Sequence, residues 1–382
     1  MAFSAVGQTF VLSLFGGEWR ELFDLTHGQL GLAYSAATLA SALLLISAGR
    51  LVDHLPLRAM VVFVLLGAAL GSGVLALSPG VFGLVLGFFL LRFFGQGLMT
   101  HTAQTAVARA FTTHRGKAIS LVVAGLPVAE AVAPILVVAG AAAFGWRSTW
   151  GLIAVTLAAL TVLVLVLLGR PIAQGEAASG AGETEGHWSR RKVLRDPRFY
   201  MVLPALMGAP FIITAVFFHQ VPLAEAKGWT LAWLASSFVA FAATHLLSLF
   251  VAGPLMDRFG SRRLLPWHLT PLVLALLAVS GLDDNWLAPA YLALAGLGMG
   301  LANALMGVIW AELYGTTHLG AIRAVAQSAM IFATAAAPVA VGVLLDWNWS
   351  MEHVVLLLAA YAVAASLLAG YGLRRPTVRH PA

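Results

Sequence analysis

Twelve stretches of this chain are apolar and close to the roughly 20 residues that cross a bilayer as a helix. No other feature constrains its fold as tightly. They run at 1–16, 29–48, 59–78, 81–108, 118–144, 150–168, 200–219, 230–252, 264–281, 287–314, 321–345 and 352–371. A segment surrounded by lipid has to satisfy its own backbone hydrogen bonds, so each run is expected to be a helix. Composition agrees. Of 382 residues, 60% are hydrophobic and only 10% charged, against about 25% charged in a soluble domain. The expected fold class is an all-α integral membrane protein with twelve transmembrane helices.

The basic residues orient these spans. With both termini taken as cytoplasmic, 18 of the 22 Lys and Arg residues fall in cytoplasmic segments. Arg20, Arg147 and Lys227 fall on the opposite side, and Arg92 lies inside a span. The positive-inside rule explains that split, so the net charge of +6 reports topology and not nucleic-acid binding. No basic region precedes the first run, so no cleavable signal is expected. The inner (plasma) membrane is the expected home. The absence of cysteine excludes disulfides, thiolate metal sites and cysteine nucleophiles. No cofactor or metal is expected. The sequence holds no phosphate-binding GxxxxGK[ST] loop and no HExxH, which argues against ATP as an energy source and against a membrane hydrolase.

The chain repeats itself. Residues 48–58 read AGRLVDHLPLR and residues 252–262 read AGPLMDRFGSR, sharing Ala, Gly, Leu, Asp and Arg at an offset of 204. Ala133-Pro134 matches Ala337-Pro338 at the same offset, and Gly95 to Leu98 matches Gly298 to Leu301 at 203. Each copy holds six spans, an even number, so the copies run parallel, an arrangement known among transporters. The expected domains are a six-helix bundle at 1–168, a cytoplasmic linker at 169–199 and a second bundle with a short tail at 200–382. Met1 aligns with Ala205, inside the seventh span, so the natural start is expected upstream.

Gly49, Asp53 and Arg58 in the first copy, and Gly253, Asp257, Arg258 and Arg262 in the second, resemble the signature loop of the major facilitator superfamily. Arg92 with Gly95 and Gly97 is similar to that family's second motif. Arg115 to Ala118 faintly resembles its monocarboxylate and oxalate/formate branch. The resemblance covers the whole chain. It implies the major facilitator fold, alternating access by two rocking bundles, and a central cavity that excludes the third, sixth, ninth and twelfth spans. In the signature loop, a carboxylate at a helix end can accept hydrogen bonds from a neighbouring helix N-terminus, and arginines can pair across the bundle interface. Such a latch would close the cytoplasmic side, and Asp257→Asn is expected to impair transport without impairing insertion.

The buried polar residues mark candidate sites. Arg92, Gln96, Thr100 and Gln104 recur every four residues in the fourth span, a polar stripe on one helix face. Arg92 lies roughly 16 Å from one membrane surface and Glu130 roughly 20 Å from the other, by helix rise. A charge at that depth costs about 3 kcal/mol on insertion scales and calls for a partner or a wet cavity. Arg92 and Glu130 are expected to pair, either permanently or as a breakable pair. In the breakable case Arg92 binds an anionic substrate and Glu130 carries a proton. His245 is a second proton candidate, since imidazole titrates near neutrality. Gln8, His245, Asn303 and Gln327 join Arg92, Gln96 and Thr100 as substrate-site candidates. Ser237, Thr244 and Ser248 share a face with His245. The Trp residues at 146, 229, 286, 347 and 349 are expected to form an interfacial belt. The chain then reads as a monomeric secondary transporter of a small organic solute, an organic anion with proton coupling being preferred. A drug-like cation exporter and a transporter-like receptor are the alternatives.

Overall fold

The computed structural model describes residues 1–49, 51, 55–110, 118, 121–167, 190–315 and 318–374. Within them, ten helices are long and apolar enough to cross a membrane. One of the ten, Leu121–Val166, is two spans. Gly145 breaks it at φ 76°, a backbone angle that glycine adopts without strain. A Cβ on Gly140 would stand 3.2 Å from Thr149, so the chain has doubled back over nine residues. The first span, 2–23, is irregular: a 3₁₀ turn at Ala2–Gly7, helix at Thr9–Leu12, a second 3₁₀ turn at Ser13–Phe15, and helix at Gly16–Phe23. Counting these, the twelve spans of the sequence are present.

The remaining spans fall where the apolar runs place them. The second is His27–Ala48, the third Leu57–Leu77, the seventh Pro197–Phe218 and the eighth Leu231–Phe259. The tenth is Leu287–Tyr314, the eleventh Leu319–Asp346 and the twelfth Met351–Arg374. The fourth runs from Val81 to Ala110 with a π-helical turn at Leu91–Leu98. The ninth is interrupted, with helix at Ser261–Leu264, a 3₁₀ turn at Leu265–Trp267 and helix again at Thr270–Gly281. Local chemistry starts several of these. Thr26 and Gln29 form a reciprocal capping box at the second. Asp196 caps the seventh with Pro197 in its first turn, where its missing N–H costs nothing.

The halves meet along two seams, the second span against the eleventh and the fifth–sixth hairpin against the eighth. The third span packs on the fourth and on that hairpin, and the ninth packs on the tenth and twelfth. In the first half, Trp19 lies edge-on to Phe88 at 5.1 Å and Phe15 lies 5.3 Å from Trp150. Trp286, Trp347 and Trp349 are exposed at span ends, as a belt requires, but Trp229 is buried and stacks on Tyr291. His219 is buried at the end of the seventh span against the Pro338 carbonyl.

Candidate functional site

Two glycines bring the first and fourth spans into backbone contact. A Cβ on Gly7 would collide with the Leu91 carbonyl and lie 2.6 Å from the Gln96 amide nitrogen. One on Gly95 would lie 3.0 Å from the Gly7 nitrogen. At this crossing Gln8 is extended, with φ −86° and ψ 151°, so the first span breaks and its turn leaves carbonyls without helical partners. The fourth span answers with its π turn, a widening found often at functional sites. Arg92 sits in that turn. Its Nη1 donates to the Gly7 carbonyl at 3.2 Å, and its guanidinium lies over the Tyr34 ring at 5.2 Å. Tyr34 is fixed in turn by a 2.8 Å hydrogen bond with the Thr9 hydroxyl. Arg92 is only 6% exposed, and its Nε is buried without a hydrogen-bond partner.

The other embedded charge lies on the seam between halves. Glu130 of the fifth span and His245 of the eighth are both buried, and Glu130 Oε2 lies 2.9 Å from His245 Nδ1. On the far side of the ring, Nε2 lies 3.3 Å from the Asn303 amide nitrogen. The expected Arg92–Glu130 pair is therefore absent. The helical depth of each was readable, but Arg92 turns toward the first span and Glu130 toward the eighth.

The other candidates divide. Gln96 and Gln8 are half-buried beside Arg92, while Asn303 and Gln327 are exposed. Thr100 donates to the Gln96 carbonyl of its own helix at 2.5 Å. Thr244 and Ser248 pin the eighth span to the tenth, donating to the Ala293 and Leu297 carbonyls at 2.7 and 2.9 Å. Ser237 bonds within its own helix. Of the signature loops, Asp53 lies outside the described residues and Gly49 ends the second span. Gly253 lies within the eighth span with open space beside it. Asp257 is exposed and Arg258 rests on the Phe259 ring at 5.3 Å. Among the described residues, Arg58, Arg258 and Arg262 make no ion pair across the halves. Arg58 donates to the Leu165 carbonyl at 2.7 Å and Arg262 to the Glu312 carbonyl at 2.6 Å, each within its own half.

The carboxylate-to-helix device does exist, at the end away from the basic loops. Asp346, ending the eleventh span, accepts from the Thr26 hydroxyl at 2.7 Å and from the amides of His27 and Gly28 at 2.9 Å. It thus caps the second span across the two halves, where the helix dipole favours a negative charge. Close backbone approach makes this possible. A Cβ on Gly342 would stand 2.6 Å from the His27 carbonyl oxygen, and one on Gly31 would stand 2.7 Å from the Pro338 oxygen. Nearby, Ser13 donates to the Phe217 carbonyl at 2.6 Å, and Gln220 reaches the Phe10 carbonyl at 3.0 Å. Sequence reasoning missed Asp346, although the Thr26–Gln29 capping box beside it is legible in the residues.

A family model described as Major Facilitator Superfamily matches residues 1–244 and 230–382, the length of the chain. No curated protein matches it. Among solved structures, it is similar to a bacterial homolog of the human lysosomal transporter Spinster in an inward-facing, unoccupied conformation. Identity is 14% and the TM-score 0.71, over 97% of this chain and 91% of the other. The occupied, inward-facing form of that homolog gives 13% and 0.72 over the same shares. Identity this low speaks for the fold.

Proposed function

Since the chain belongs to the Major Facilitator Superfamily, which makes it a multi-pass membrane transporter, we propose that it moves a small organic anion together with a proton by alternating access. The observation that carries this reading is Arg92. A guanidinium at the midplane has five N–H donors, and here it keeps one long bond to a carbonyl, a ring face and a bare Nε. A buried cation with no counter-ion among the described residues is costly. An anionic substrate group would supply the missing acceptors and would favour two-pronged binding. Gln8, Gln96, Asn303 and Gln327 would complete the site between the halves.

Glu130 and His245 are the proposed proton carriers. Their hydrogen bond joins the two halves, so a change in its protonation bears directly on whether the halves stay together. The Asp346 cap is the proposed latch of the closed face, broken when that face opens. The basic face is then cytoplasmic, with the protein in the inner membrane. A cation exporter would need Glu130 facing the substrate, and its carboxylate is turned to His245 instead.

The test is a thermal-shift screen of purified protein against small anions, neutral solutes and cations, with Arg92→Gln beside wild type. A ligand at a hundredfold excess over its Kd adds about 2.7 kcal/mol. Stabilisation by anions alone, lost in the variant, is the expected outcome. Stabilisation by cations, or an unchanged response in Arg92→Gln, would overturn it.

A further inference from the structure

Where the ninth span is interrupted, it leaves a groove against the end of the twelfth, on the basic face and away from the seams between halves. The groove encloses about 820 Å³, a size typical of small-molecule sites. Arg263 and Arg374 stand at its exposed rim beside Trp267, which is 70% exposed. Val273, Val363 and Leu367 continue it along the apolar surface of the helices. Arg262 also borders it but is held by the Glu312 carbonyl. Among the described residues, neither Arg263 nor Arg374 has a hydrogen-bond or ion-pair partner. Gly370 lines the groove; a Cβ there would make ordinary contact with the Pro266 ring at 3.5 Å, and a larger side chain would enter the groove.

The internal repeat supplies a control. At the offset of 204, Arg263 corresponds to Ala59, Trp267 to Phe63, Thr270 to Leu66, Gly370 to Val166 and Tyr371 to Leu167. Arg374 keeps a basic counterpart, Arg170, as Arg262 does in Arg58. The first copy thus lacks the charge of Arg263 and the glycine of the floor, with Ala59 and Val166 in their places, while Phe63 keeps an aromatic ring where Trp267 stands. A charge that only sets topology needs neither a cavity beneath it nor a glycine floor. Basic pockets between helices on the cytoplasmic side suit acidic lipid headgroups, and an exposed Trp favours the headgroup level.

We propose that this groove binds one acidic phospholipid, its phosphodiester held by Arg263 and Arg374 and an acyl chain lying along Val273, Val363 and Leu367. The apolar walls favour a lipid over a free phosphate, which would use only the rim.

The experiment uses the full chain in detergent, with native mass spectrometry and thermal shift against dioleoyl-phosphatidylglycerol, dioleoyl-phosphatidylcholine and inorganic phosphate. Wild type should retain the phosphatidylglycerol in preference. The double variant Arg263→Gln/Arg374→Gln should weaken that retention about thirtyfold, from roughly fivefold for each charge. Gly370→Leu, which fills the floor and keeps both charges, should weaken both lipids. Arg191→Gln/Arg195→Gln, removing two exposed charges elsewhere, should change nothing. Equal retention of the two lipids by wild type would overturn the proposal. So would an equal loss in the Arg191/Arg195 control, or stabilisation by inorganic phosphate as large as by phosphatidylglycerol.

Discussion

In the first half, the fourth span carries a buried arginine, takes a π turn and presses against a broken neighbour. In the second half, its repeat, the tenth span, is one unbroken helix from Leu287 to Tyr314. Arg92 aligns with Ala295 or Gly296, depending on where the one-residue shift in the repeat is taken. Gly296 leaves room for the Phe241 carbonyl and the Thr244 hydroxyl, and Gly300 for Ser248. Small residues of this kind let membrane helices approach and bond side chain to backbone. The same contrast recurs elsewhere. Glu130 aligns with Thr334, and His245 aligns with Ser41. One scaffold therefore serves two ends. Where the repeat packs for rigidity it uses glycine, serine and threonine. Where it holds Arg92 the regular helix gives way, while Glu130 and His245 are carried on unbroken helix.

That contrast can be broken at its charged side first. Glu130→Gln should reduce proton-driven flux in proteoliposomes to the level seen without a gradient, while substrate exchange continues. Proton-driven flux at the wild-type rate would remove Glu130 from the coupling path. On the packed side, Gly296→Leu should cost about 1–3 kcal/mol by overpacking, read as a lower melting temperature. Gly73→Ala, in the third span, has open space around it and should be neutral or stabilising by up to about 1 kcal/mol. Equal melting temperatures for the two would mean that the eighth–tenth crossing is loose. The smallest effect belongs to the latch. Asp346→Asn keeps shape and loses charge, worth about 0.3–2 kcal/mol at a helix N-terminus. Because the chain has no cysteine, spin labels at Leu22→Cys and Trp286→Cys report the separation of the halves without background. Asp346→Asn should shift those distances toward longer values. An unchanged distribution would mean that the cap does not hold that face.

The spans, their repeat and the position of each embedded charge along its helix were legible because they depend on hydropathy and on 1.5 Å per residue. Helix rotation was not. Nothing in the spacing tells whether Arg92 looks toward Glu130 or toward Gly7, since both directions keep the same depth. Thr244 and Ser248 share the helical face of His245, and the structure gives them to carbonyls of the tenth span. The break at Gln8 and the π turn at Leu91–Leu98 follow from contact between two glycines 88 residues apart, Gly7 and Gly95. One trace was visible. The repeat changes register by one residue before Gly95, and a π turn is a place where a helix absorbs such a residue.

The contact from Ser13 to Phe217 joins positions 204 residues apart, the spacing that relates one half to the other. A residue that touches its own image lies on the axis of the symmetry that relates them. Had the six-helix unit once been a separate chain, this contact would have been isologous, the same patch meeting itself across a dimer. At such a place a substitution acts twice before fusion and once after it. Fusion would then free the two positions to diverge, as Ser13 and Phe217 differ, with the Ser13 hydroxyl donating to the backbone carbonyl of Phe217.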